Sequence, residues 1–340
     1  MGKIKYVYVG MDPETPIILS NDKDFELAGV ALIDTFFTQT LNPINFIFKS
    51  VFFLRKEEKL RWLEKLLIIK WKFLNPFSSS IFFKFKDYLT FISENNAKIL
   101  DFEDIEKTEK YIQENKIDLI VVNAWDLLPE NIIKAPKYGT INIHPSKLPK
   151  YKGALPTLWA LKNGDKETAV TYLLVDKSVD GGKILAQHEI SIGENDNAID
   201  LEYKIADVLK ETLADDIKRY IKGESIPYFQ NENGTSKTGK YYEYLKIDLK
   251  NEKARDIYNK IKLYPFLEPG LHCFVELNNR KIEIKNANFS LGKISEYSIA
   301  RDVSLKFPYL LFQAKDGIIK SRIFMDLSFL DSIFVLMNLN

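Results

Sequence analysis

The chain has 340 residues, 46% of them hydrophobic and 28% charged, and carries a formal net charge of +1. That length admits one large domain and a smaller one, and the near-neutral balance gives no global field to recruit nucleic acid. Cys273 is the single cysteine, which excludes an internal disulfide framework and a cysteine-based metal cluster and fits a reducing, cytoplasmic setting.

The opening MGKIKYVYVG lacks the apolar core and cleavage site of a signal peptide and reads instead as a first strand, Ile4–Val9. Leu27–Ile33 (LAGVALI) is a second buried strand, reached by a crossover that looks too short for a full helix. The aromatic-rich stretch from Ala31 to Leu54 is broken by Asp34, Asn42, Pro43, Asn45 and Lys49, so it holds no membrane span. Ala97–Leu100 is a weaker strand. A charged amphipathic helix over about Ile105–Asn115 precedes the strand Leu119–Val122 (LIVV), and Gly139–Ile143 (GTINI) runs directly into His144. Strand, helix and strand at this spacing predict right-handed crossovers and a mostly parallel, Rossmann-like α/β sheet. Functional groups of such sheets gather beyond the carboxyl ends of the strands, where His144 and the loop after Val122 fall. A long helix is expected over Leu201–Gly223. The polar stretch near Gln230 reads as a linker, followed by a helix near Glu252–Lys262 that stops at Pro265. Two hairpins follow, with turns at Asn278-Asn279 and Asp316-Gly317. The expected organisation is a catalytic region over 1–229 with a helical insertion at 42–96, a linker at 230–245, and a small β-rich, OB-like region over 246–340.

The segment NIHPSKLPKYKGALPTLWALKNGDKETAVTYLLVDKSVDGGKIL, Asn142 to Leu185, resembles the core motif of the 10-formyltetrahydrofolate-dependent formyltransferases. Pro149, Tyr151, Lys152, Gly153, Pro156, Trp159, Asn163, Gly164, Val170, Thr171, Asp180 and Gly182 stand in the family's places, and agreement at so many ordered positions makes the likeness specific. It extends more loosely to DLIVVNAWDLLP and to the carboxyl-terminal region. Two departures stand out: about fifty residues intervene after Ile33 where the family has a short loop, and Lys147 and Lys152 replace Leu and, commonly, Arg.

Formyl transfer to an amine needs a neutral nucleophile, a held oxyanion and a protonated leaving nitrogen. His144 carries the side chain that exchanges protons near neutrality. Asn142 can donate to an oxyanion, and spacing of two on an extended segment puts both side chains on one face. Asp180, before Gly181-Gly182, can orient His144. The residues alone leave an acid–base site open beside a structural histidine at a strand end and a turn-capping aspartate, and by themselves favour the structural histidine; the resemblance implies that Asn142, His144 and Asp180 are catalytic. It further implies folate contacts from Asn123, Ala124, Trp125, Asp126, Leu127, Asp176 and Gly181, with Trp125 and Asp126 equally readable as packing. Acceptor contacts are implied for Ser146, Tyr151, Lys152 and Gly153, with Lys152 either a phosphate partner or a solvated lysine. His188 and His272 read as surface or packing residues. The implied cosubstrate is 10-formyltetrahydrofolate, with no metal.

Between Asn42 and Lys86, ten basic residues oppose three glutamates among large apolar ones. Arg55–Leu74 reads as a helix with two apolar stripes, Leu60, Leu63, Leu67, Trp71 and Leu74 against Trp62, Leu66, Ile69 and Phe73. The second stripe requires a covering surface: the insertion itself, a partner subunit such as a second copy, or the inner face of a membrane. The resemblance implies a nucleotide-linked amino sugar, initiator methionyl-tRNA or glycinamide ribonucleotide as acceptor. Acidic and basic residues after Gln230 are close to balance and form no basic stripe, so among these a nucleotide-linked amino sugar for surface polysaccharide is expected. Initiator methionyl-tRNA is the alternative acceptor, and a non-catalytic scaffold of the same fold is the alternative of another class.

Overall fold

The first strand, β1 (Ile4–Gly10), places Val7 and Val9 on one face and Tyr6 and Tyr8 on the other, all fully buried. A strand buried on both faces belongs in the middle of a parallel sheet covered by helices on each side. This computed structural model describes residues 2–10, 14–31, 90–100, 102, 104–123, 127–231, 236, 246–261, 263, 273–277, 280–284, 290–292, 303–306 and 309–322. The insertion expected at 42–86, with its two-striped helix, lies outside them, as do Pro265, His272 and the Asn278-Asn279 turn.

After β1 come α1 (Glu14–Ser20), β2 (Phe25–Ala31), β3 (Lys98–Leu100), α2 (Ile105–Glu114), β4 (Leu119–Asn123), α3 (Glu130–Lys134) and β5 (Thr140–His144). Then follow α4 (Pro156–Asn163), β6 (Glu167–Leu174), β7 (Ile184–Ser191) and α5 (Ala198–Ile221). The seven strands form one sheet in the order β3-β2-β1-β4-β5-β6-β7. The pairs β1–β2, β2–β3, β1–β4 and β4–β5 are all parallel. The first crossover does hold a helix, but one of seven residues, α1, fastened by the Tyr6 hydroxyl donating to the Pro16 carbonyl at 2.8 Å.

The chain divides into two compact units. One comprises Met1–His144, Tyr172–Leu185 and Leu209–Tyr228; the other comprises Pro145–Thr171, Ala186–Val208 and Phe229–Asn340. In the first, Val7, Val9, Ala31, Leu100, Ile112, Ile117, Ile120, Val122 and Ile132 form a continuous apolar cluster between the sheet and α2 and α3. Truncating one of its isoleucines to alanine is expected to cost about 2–5 kcal/mol. Helix α2 starts at Asp104, whose carboxylate accepts the Lys107 backbone N–H at 3.2 Å.

Helix α5 begins before the expected Leu201. Asn197 accepts the N–H groups of Ile199 and Asp200, and Asp200 accepts the N–H of Asn197, at 2.8, 3.2 and 2.9 Å. This reciprocal capping adds most of a turn to the apolar pattern.

In the second unit, α6 (Ala254–Ile261) receives its amino-terminal cap from a distant turn, the Ala254 N–H donating to Asp316 at 2.8 Å. Strands β8 (Cys273–Leu277) and β9 (Arg280–Ile284) pair antiparallel, and β10 (Ser290–Gly292), β11 (Val303–Lys306), β12 (Tyr309–Gln313) and β13 (Ile318–Arg322) form an antiparallel sheet ordered β10-β13-β12-β11. Asp316-Gly317 lies in the β12–β13 connection, which Ala314 closes by donating to the Gly317 carbonyl at 2.9 Å. Ile247, Ile257, Ile261, Val275, Phe312 and Ile319 gather at the centre of this β-rich part.

Candidate active site

Neighbouring parallel strands β1, β4 and β5 end at Gly10, Asn123 and His144, so three strand ends meet at one rim. The backbones crowd there: a Cβ at Gly10 would lie 2.2 Å from the Asn123 carbonyl oxygen, so only glycine fits. The next functional group comes from the loop between β6 and β7. Asp180 in that loop accepts a hydrogen bond from the Asn142 amide at 3.0 Å through Oδ1, and its Oδ2 lies 3.6 Å from Nδ1 of His144. The first is a hydrogen bond; the second is a charge contact that forms only when the imidazole is protonated. The His144 and Asp180 side chains retain 5% and 14% exposure, which limits screening of that contact.

The loop is held in this pose by its backbone. Asp180 adopts φ 49°, a left-handed conformation that aspartate tolerates at a cost of about 1 kcal/mol. Gly182 packs against the end of β6, where a Cβ would come within 1.8 Å of the Leu174 carbonyl oxygen. Its glycine therefore serves close backbone packing of the loop. Asp176 is exposed, and its Oδ1 accepts from the backbone N–H of Ser178 at 2.8 Å and from the Ser178 hydroxyl, forming a tight turn. Lys177 pairs with Glu130 at 2.9 Å, tying this loop to the start of α3. Lys134 first, then Lys177, hold the Glu130 carboxyl below the usual range.

The residues expected near folate are placed unequally. Asn123 ends β4 with its amide 3.4 Å from the Thr15 hydroxyl. Leu127 is 72% exposed, an unusual state for leucine, and Gly181 is half-buried between Asp180 and Gly182. Ala124, Trp125 and Asp126 lie outside the described residues.

The loop continuing from His144 belongs to the second unit. Ser146 is fully buried, and its hydroxyl donates to the Lys150 carbonyl at 2.7 Å. Tyr151 is buried in a left-handed conformation, φ 60°, with its hydroxyl donating to Asp165 and accepting from Asn163 at 2.9 and 2.8 Å. Burial pushes that phenol above its ordinary pKa. Lys152 is buried too, and Gly153 follows at φ 105°. Sequence reasoning did not single out Gln187, which donates to the Leu148 carbonyl and to the Thr171 hydroxyl at 3.1 and 2.9 Å. Thr171 in turn donates to the Ser146 carbonyl at 2.6 Å. Lys147 bridges Glu167 and Glu189, each at 2.6 Å, and those carboxylates, Glu167 foremost, raise its pKa. Its departure from the family pattern is thus answered by a surface ion-pair cluster. His188 is half-buried on β7. No cluster of metal-ligating side chains occurs among the described residues, and no helix there is long and apolar enough to cross a membrane.

Asn142, Asp180 and His144 thus lie together at the carboxyl rim of a mostly parallel α/β sheet, and residues 90–217 match the family described as Formyl transferase. Over that stretch, which is less than half of its length, the chain is similar to the formyl transferases. It is 38% identical over 195 residues to the methionyl-tRNA formyltransferase of Caldanaerobacter subterraneus subsp. tengcongensis, covering 56% of this chain and 62% of that relative. Among solved structures, the sugar 3N-formyl transferase WlaRD superimposes with a TM-score of 0.58 at 19% identity, covering 95% of this chain and 99% of the other. The N-formyltransferase of Helicobacter canadensis, solved with folinic acid and dTDP-3-aminofucose, gives 0.57 at 18% identity, covering 94% and 99%. The chain is therefore similar in fold to these enzymes, while it spans 62% or less of the length of the curated relatives it matches.

Proposed function

We propose that this protein transfers the formyl group of 10-formyltetrahydrofolate to the amine of a nucleotide-linked amino sugar, in surface polysaccharide synthesis. The observation that carries the chemistry is the single carboxylate of Asp180 contacting both Asn142 and His144. In the reaction the amine nitrogen attacks the formyl carbon, a tetrahedral oxyanion forms, and the bond from that carbon to folate N10 breaks. His144 accepts the proton the amine loses and returns it to N10, so protons balance without a metal. Asn142 has two amide N–H groups; one is held by Asp180, and the other donates to the oxyanion. Such a preorganised donor is worth roughly 3–4 kcal/mol. Asp180 stabilises the imidazolium that forms in between.

Folate is assigned to Asn123, Ala124, Trp125, Asp126, Leu127, Asp176 and Gly181. The acceptor is assigned to the loop of Ser146, Tyr151, Lys152 and Gly153. Within that loop Ser146 and Tyr151 act by shaping the backbone, because their hydroxyls are engaged internally. The division into a catalytic region over 1–229, a linker over 230–245 and a β-rich region beyond belongs to the same proposal, as do a cytoplasmic location and membrane or homodimer contact through 42–86. Liposome co-sedimentation with and without 42–86 tests the membrane contact, and equal binding by both forms would remove it.

The amino-sugar acceptor is supported by higher TM-scores against two sugar formyltransferases, 0.57 and 0.58, than against the methionyl-tRNA formyltransferase of Clostridium thermocellum, 0.50 at the same coverage, and by the modest charge after Gln230, 17 basic against 13 acidic residues. A second reading, initiator methionyl-tRNA, is supported by the 38% identity to a methionyl-tRNA enzyme. Tight, salt-sensitive binding of the charged tRNA without turnover of amino sugars would establish that reading instead. Intact formyl transfer by a folded His144→Ala variant would overturn the chemistry in both readings.

A further inference from the structure

Loop 146–155 begins two residues after His144 and carries two left-handed non-glycine residues around a positive-φ glycine. Tyr151, Gly153 and Leu155 all have positive φ, at 60°, 105° and 55°. Conformations of this kind persist only where surrounding contacts over-determine them. Most of those contacts come from nearby in the second unit: Gln187 and Thr171 hold the start of the loop, and Asp165 and Asn163 hold the Tyr151 hydroxyl. One comes from far along the chain. The Tyr151 N–H donates to the hydroxyl oxygen of Ser236, and the Lys152 N–H donates to the carbonyl of the same serine, both at 2.9 Å.

Two consecutive backbone donors beside a buried lysine are thus satisfied by one residue of a stretch that reads as a plain linker. A spacer has no reason to make a two-point contact, and left-handed residues leave no local carbonyl ladder for those donors. We propose that Ser236 is a positioning residue for the acceptor: by accepting from Tyr151 and Lys152 it fixes the backbone of the loop to which the acceptor is assigned. This deepens, and rests on, the formyl-transfer reading above. Its chemical consequence is specific. Loosening the loop lowers the fraction of protein in the acceptor-competent shape, which weakens acceptor binding and leaves the reacting groups Asn142, His144 and Asp180 in place.

The test combines residue-resolved amide exchange with steady-state kinetics of the full chain, in the parent, Ser236→Ala and Ser236→Thr. Ser236→Ala removes the oxygen that holds the Tyr151 N–H; exchange at that amide is expected to accelerate and the acceptor KM to rise roughly five- to tenfold, the usual worth of one hydrogen bond, with kcat within about twofold. Ser236→Thr keeps the oxygen and restores both. Unchanged exchange at Tyr151 in Ser236→Ala overturns the proposal, and so does faster exchange with an unchanged acceptor KM, which is what a merely structural serine would give. A parent protein that forms no formylated amine with any acceptor overturns the function itself and the acceptor role with it. That outcome is distinguished from failure of Ser236 alone by the parent's own turnover. Matching circular dichroism of the three proteins excludes misfolding as the cause.

Discussion

Asp180 accepts a hydrogen bond from Asn142 across 38 residues of sequence, at 3.0 Å, while its second carboxylate oxygen faces the His144 imidazole at 3.6 Å. One anion therefore orients both the proposed oxyanion donor and the proposed proton relay. Removing any of the three should damage turnover far more than folding. For Asn142→Ala the expected loss in kcat is about 100- to 1,000-fold; for Asp180→Asn and His144→Ala it is about 100- to 10,000-fold. Thermal melts of the same variants should stay close to the parent. A variant melting normally with full activity would remove that residue from the mechanism.

Gly182 sets the height of the Asp180 loop over the sheet. Gly182→Ala would place a methyl group 1.8 Å from the Leu174 carbonyl oxygen, so the loop must lift. The expected cost is about 1–3 kcal/mol of stability, together with lost turnover because Asp180 moves with the loop. Differential scanning calorimetry paired with a formyl-transfer assay checks both, and an undisturbed melt would show that the loop yields freely.

Lys147 should be dispensable for chemistry. It is a partly exposed lysine between Glu167 and Glu189, and exposed pairs of that kind contribute about 1 kcal/mol or less. Lys147→Met is expected to leave kcat and both KM values within about twofold of the parent. A large rise in acceptor KM would instead make Lys147 an acceptor contact.

Cys273 should be silent toward thiol reagents until the protein unfolds. It is buried, and desolvation pushes its thiol from 9.0 up to about 12. Burial likewise raises the phenols of Tyr6 and Tyr172. In each case the folded state holds its proton more tightly than the unfolded chain does. The associated stability is present below the unfolded pKa and is lost as pH rises toward the folded one. Denaturant melts should therefore weaken from about pH 9 upward, with thiol labelling tracking unfolding. Rapid labelling of the native protein at pH 8 would contradict the burial.

The elements legible in the sequence are those whose pattern is local. IKYVYV, LAGVALI, LIVV and GTINI are apolar runs that only a doubly covered parallel strand accommodates, and they became β1, β2, β4 and β5. The pair Asn142 and His144 was readable because period-two spacing puts them on one face, and Asp180 because its place in the motif marked it. The first strand pair and helix α2 needed nothing distant.

What escaped was decided by distant partners. Helix α6 takes its cap from Asp316, 62 residues later, and no local rule finds that. KETAVTYLL was legible as motif positions and ILAQHEIS, beyond Leu185, was not; the strand character of both, in β6 and β7, follows from joining the sheet beside β5. Gln187 carried no signal, since its role depends on the Leu148 carbonyl and the Thr171 hydroxyl being within reach. Ser236 lay hidden in a stretch whose composition announces only a linker. The extra start of α5 was present in the sequence as Asn197 and Asp200, a capping pair masked by the stronger apolar pattern that begins at Leu201.

The central claim is tested most directly by incubating the protein with 10-formyltetrahydrofolate and a panel of nucleotide-linked amino sugars, and following each sugar by mass spectrometry. The expected result is gain of one formyl group on an amino sugar by the parent protein, and none above background by His144→Ala. Formylation confined to charged initiator tRNA, or no acceptor formylated while folate binds, would contradict it.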